Sequence, residues 1–148
     1  MTTNTFSETR NTSMPKLIIT GVIAGLGGGL VFGMLMGMMG ILPMVGMLIG
    51  SDSAIIGFIV HMAISAGLGA IFGLVAVRFL TGWGSAIVAG LVYGVIWWVL
   101  GALIMMPLML GMSNMVLVIG TDQWMSLMGH MIYGAITALL FVPLSKRI

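Results

Sequence analysis

The chain has 148 residues, of which 60% are hydrophobic and 5% charged, and its mean hydropathy is +1.25. Such a composition excludes an ordinary soluble domain, in which about a quarter of the residues carry charge. The net charge of +2 comes with no basic cluster larger than Lys146-Arg147, which excludes nucleic acid as a partner, because no footprint on phosphates can be assembled from so few cations. The absence of cysteine excludes disulfides, thiolate metal centres and a cysteine nucleophile.

Residues 1–15, MTTNTFSETRNTSMP, are polar and read as a disordered cytoplasmic tail ahead of a single transmembrane domain at residues 16–148. They do not read as a signal peptide, because acidic Glu8 precedes an apolar run long enough to stay in the membrane. Charge-free intervals at residues 17–51, 53–77, 79–121 and 123–145 each exceed the roughly 20 residues a helix needs to cross a bilayer. Four spans are therefore expected, at about Lys16–Met39, Ala54–Phe79, Trp83–Met106 and Gln123–Ser145. Every cation then falls on one side: Arg10 and Lys16 before the first span, Arg78 at the short turn between the second and third, Lys146 and Arg147 after the fourth. By the positive-inside rule both termini face the cytoplasm, which makes this a multi-pass protein of the cell (inner) membrane.

The connectors on the other side, ILPMVGMLIG from Ile41 and PLMLGMSNMVLVIG from Pro107, stay apolar. At about 15 residues the second is short for a crossing, so both read as interfacial or re-entrant caps broken by Pro43, Gly46, Pro107 and Gly111.

Small residues recur every four positions within the spans. The first carries Gly21, Gly25, Gly29, Gly33 and Gly37; the second Gly57, His61, Ser65, Gly69 and Gly73; the fourth Ser126, His130, Gly134 and Ala138. In lipid, association of helices rests on close packing across such faces. A shift of 69 residues superposes Gly21 on Gly90, Gly25 on Gly94, His61 on His130 and Phe72 on Phe141. The fold class expected is all-α: four transmembrane helices as two tandem parallel helical-hairpin repeats, residues 16–80 and 83–148, with glycine-zipper packing and a pseudo-two-fold along the membrane normal. A homo-oligomer joined through small-residue faces is open, and membrane lipids are the expected surroundings.

His61 and His130 are the candidate cofactor-binding residues, since an ionisable side chain within a membrane is expensive and faces the interior. Placed at one depth by the repeat, they suit several uses: polar glue hydrogen-bonded to a carbonyl, Ser65 or Tyr133; axial ligation of a haem; part of a copper(I) site with the abundant methionines; or a proton or solute path. Methionine is also an adaptable filler of apolar cores. Trp83 and Trp124 are expected at opposite membrane boundaries, and Trp97 and Trp98 as packing or lipid-facing residues. Asp52 and Asp122 are expected to cap the second and fourth spans. No nucleophile with its base, phosphate loop or zinc hydrolase motif is present, so no enzymatic activity is expected.

The run GLVYGVIWWVLGALIMMPLMLGM from Gly90, followed by DQWMSLMGHMIYG from Asp122, resembles the YagU-like family of small bacterial inner-membrane proteins. The likeness is carried by Pro107, Leu108, Met109 and Gly111, then by Trp124, Gly129 and His130. It implies residence in the inner membrane and little else. The function expected first is a non-enzymatic role, scaffold or stress-related. Haem or copper binding through His61 and His130 is one alternative, and a small channel or transporter with a path between the repeats is another.

Overall fold

The computed structural model describes residues 13–145 and Arg147. The tail expected at residues 1–15 lies outside them as far as residue 12, and so do Arg10 and Lys146. Helix α1 is Met14–Met38, α2 is Leu42–Gly46 with a 3-10 turn at Met47–Ile49, and α3 is Ala54–Val75 with a 3-10 extension at Ala76–Phe79. Helix α4, Trp83–Trp97, runs through a π-helical stretch, Trp98–Met105, into α5, Met106–Met109; after a 3-10 turn at Ser113–Met115, α6 is Thr121–Leu144. Met14–Met38, Ala54–Phe79, Trp83–Met109 and Thr121–Leu144 are each long and apolar enough to cross a membrane. The protein is thus an all-α, multi-pass membrane protein with four candidate spans.

Local chemistry explains where these helices stop. Gly40 follows α1 at φ +71 and Gly111 follows α5 at φ +73, a left-handed turn that suits glycine. It lets Ile41 donate to Met36 O at 3.0 Å and Met112 to Pro107 O at 2.8 Å, which closes each helix on its own carbonyls. On the opposite side, Ser85 Oγ accepts from the amides of Thr81 and Gly82, both at 2.8 Å, and donates to Gly82 O. That one hydroxyl fixes the short turn into α4.

Two expectations need correction here. The third span does not end at Met106. Pro107 falls in the first turn of α5, where its missing N–H is no loss, so the span continues to Met109. The same ring would press on the carbonyl of Leu103, four residues back, and the widened π-helix, with Met106 donating to Gly101 O, ends just before it. Nor do the aspartates act as N-caps. Ser53 holds that position in α3, without a side-chain cap bond; Gly120 holds it in α6, its N–H donating to Gln123 Oε1 at 2.9 Å. Asp122 stands in the first turn of α6, where the helix dipole favours it.

Helices α1 and α6 form the centre of the bundle: α1 packs along α3 and α6, and α6 along α1 and α4. Helices α3 and α4 meet through side chains: Tyr93 Oη donates to Leu68 O at 2.5 Å, and Tyr93 lies edge-on to Phe72 at 5.1 Å. Phe72 and Phe141, both fully buried, meet at 5.7 Å.

The glycine faces bring backbones together. A Cβ on Gly21 would run into the carbonyl of Gly69, and one on Gly69 into that of Gly21. In the other pair, Gly90 and Gly134 obstruct each other in the same way, and a Cβ on Gly94 would strike His130 O. The two registers differ. Gly90 corresponds in sequence to Gly21, yet it faces Gly134 rather than Ala138, the counterpart of Gly69. Helix α4 is therefore displaced by one turn along α6, about 6 Å, relative to the placement of α1 on α3. Gly37, last of the first stripe, is exposed; a four-residue interval drifts by about 40° per step around the axis, and the end of the stripe turns off the packed face.

Candidate functional site

Both histidines lie in the half of the bundle away from the Arg78 turn and meet around one ring. The Phe32 centroid lies 5.3 Å from that of His61 and 4.8 Å from that of His130, edge-on to each. Phe32 reaches this place because α6 has glycine there: a Cβ on Gly129 would collide with the Phe32 ring. The two imidazoles thus share one neighbour, and a phenyl group separates them.

Each ring is held by a carbonyl, and the two carbonyls differ in kind. His61 Nε2 is 2.9 Å from Gly29 O on α1. A carbonyl only accepts, so Nε2 carries the hydrogen and the bond ties α3 to α1. Its ring enters because Gly33 leaves space, a Cβ there meeting Phe58 and His61, while Gly29 makes room for Ser65. His130 Nδ1 is 2.8 Å from Ser126 O, one turn back on its own helix, so Nδ1 is the donor and Nε2 is left as the ring's acceptor. Of the partners expected from sequence, Ser65 Oγ is 3.4 Å from His61 Nε2, while Tyr133 Oη donates to Ser65 O at 2.8 Å and ties α6 to α3.

Phe32, His61, Ile64, Ser65, Leu68, His130 and Tyr133 line a half-open cavity of about 50 Å³. That is room for one to a few waters. A haem macrocycle between the imidazoles would have to displace Phe32. Among the described residues no three His, Cys, Asp or Glu side chains gather closely enough to hold a metal ion. Met34, Met38, Met44, Met105, Met109 and Met128 are exposed rather than gathered about the histidines; Met62 places its sulfur beside Gly29. The tryptophans pack as expected: Trp98 is buried, donates from Nε1 to Gln123 O at 2.9 Å and stacks on Trp124 at 6.1 Å.

Sequence reasoning missed Phe32, which looks like any apolar residue of a span. A signal existed in the glycine that precedes His130, since a second small residue beside a buried ring marks space for something large. No family model, curated protein or solved structure matches the chain.

Proposed function

We propose that the chain is a non-enzymatic inner-membrane protein of the YagU-like kind, acting as a rigid scaffold, with both termini on the cytoplasmic side. The observation that carries this reading is the backbone-to-backbone contact of both helix pairs, Gly21 with Gly69 and Gly90 with Gly134. Contacts at that range leave no latitude for helices to slide, and interiors packed in this way transmit strain rather than flex. The tandem-repeat reading is supported by the use of glycine at sequence-equivalent positions Gly21 and Gly90. The orientation is supported by exposed Lys16, Arg78 and Arg147 at one end of the bundle.

A transport role is the second reading, favoured by two imidazoles, His61 and His130, lining one small and otherwise largely apolar cavity. Flux measurements on proteoliposomes separate the two. The scaffold reading expects proton and cation leak equal to that of empty vesicles, and no change on His130→Ala. A leak that the intact chain supports and His130→Ala abolishes would replace it with a path through the bundle.

A further inference from the structure

The two outer connectors are built differently. The first is held by protein: a Cβ on Gly57 of α3 would strike Leu42 O of α2, and Gly46 abuts Ser51 O and Ser53 O. Leu42 and Val45 are buried, although Met44, Met47 and Ile49 are exposed. The second, residues 107–119, leaves Leu108 at 54%, Met109 at 62%, Leu117 at 57%, Val118 at 44% and Ile119 at 46% exposure.

This second connector also satisfies its own backbone. Met112 donates to Pro107 O at 2.8 Å, Met115 to Met112 O at 2.8 Å, Val118 to Met115 O at 3.1 Å and Gly120 to Gln123 Oε1 at 2.9 Å. Leu117, at φ 59, donates to Leu103 O at 3.0 Å. That carbonyl has an acceptor site to spare because the residue four places on is Pro107, which has no N–H. The arch is thereby pinned to the π-helical stretch.

Its depth follows from length. The span Trp83–Met109 has 27 residues, about 40 Å of helix, which matches a bilayer measured across its headgroups rather than its hydrocarbon core of about 30 Å. The arch therefore emerges at headgroup level. There, irregular backbone is tolerated, exposed Ser113 and Asn114 form its polar tip, and Trp124, 57% exposed, stands beside it as interfacial tryptophans do.

We propose that residues 107–119 are a phospholipid-binding arch, lying in the headgroup layer with Met109, Leu117, Val118 and Ile119 inserted toward the acyl chains. Lipid is the occupant because the exposed face is continuous with the apolar surface of the span below it, through Met105 and Leu108, and because no charged residue interrupts residues 79–121. The proposal rests on the membrane-spanning reading of the helices.

The chain has no cysteine, so single nitroxide labels can be placed in the full-length protein in phosphatidylethanolamine–phosphatidylglycerol vesicles. Labels at Val118→Cys and Ile119→Cys are expected to collide with oxygen more than with a water-soluble nickel chelate. Asn114→Cys is expected to show the reverse, and Ile59→Cys, on the exposed face of α3, marks the hydrocarbon. Preferential collision with the nickel chelate at both Val118 and Ile119, with Ile59 in lipid, overturns the arch alone. Shielding of both labels from both reagents assigns the face to a second copy and also overturns it. A water-exposed Ile59 label overturns the spanning reading, and the arch falls with it.

Discussion

The two long helix pairs use one device at two registers. In α1 and α3, Gly21 faces Gly69; in α4 and α6, Gly90 faces Gly134, one turn away from the sequence-equivalent contact. The displacement changes what each histidine does. In the first pair the imidazole of His61 lies in the helix interface and bonds across it to Gly29 O. In the second, the backbone of His130 occupies that interface against Gly94, and the ring turns inward to Phe32. One histidine thus hydrogen-bonds to another helix and the other to its own, while both rings pack on Phe32 of α1.

The largest expected effect tests the register. Gly69→Ala places a methyl group on Gly21 O and is expected to destabilise the fold by about 3 kcal/mol in a reversible detergent unfolding assay. Ala138, its sequence equivalent, already carries that methyl group next to Gly90, so Ala138→Gly is expected to cost no more than about 1 kcal/mol. Equal losses at the two positions would mean equal registers and would remove the comparison. Gly67, where a Cβ would meet only open space, serves as the control: Gly67→Ala is expected to be neutral or stabilising by up to about 1 kcal/mol.

Next in size is the Phe32 wedge. Phe32→Ala is expected to cost about 3 kcal/mol, and Gly129→Ala about 2 kcal/mol by pushing on the ring. The double variant is expected to lose less than the two single losses added together, because the ring that the new methyl group strikes is gone. Strict additivity measured in that cycle would show that Gly129 does not make room for Phe32.

The histidines should differ by a smaller margin. His61→Ala removes an interhelical bond and is expected to cost about 1.5 kcal/mol, near the upper end for such bonds in membranes. His130→Ala, whose bond stays within its own turn, is expected to cost about 0.5 kcal/mol. A reversed order would show that His130, not His61, joins helices. Tyr133→Phe is expected to cost about 0.5 kcal/mol or less for the lost bond to Ser65 O, read from the same unfolding curves; no measurable loss would show that this link between α6 and α3 adds nothing.

Much of this architecture was legible in the chain. Intervals without charge located all four spans, and the second stripe, Gly57, His61, Ser65, Gly69 and Gly73, is buried along its whole length. These features are local, set by hydropathy and by a four-residue period. The register of α4 on α6 was not legible, because Gly90 has small residues available on α6 at Gly134 and at Ala138, and a four-residue period does not choose between them. The site was half legible for a related reason. That the two histidines meet in one part of the bundle follows from the spacing within each span, whereas the ring between them comes from a third helix, and which helix lies centrally is a property of tertiary packing.

The central place of α1 also bears on the order of assembly during synthesis. Helix α1 leaves the ribosome before its partner α3, and both precede α4 and α6, so the Gly21–Gly69 contact can close early. The other face of α1, where Gly28 lies against Thr137 and Tyr133 of α6, must wait for α6. During that interval the nascent protein carries an open groove in the bilayer along α1. A stop codon or a stalled ribosome ahead of Thr121 would leave that groove without its own helix to fill it, and the truncated product would be exposed to membrane quality control at that seam.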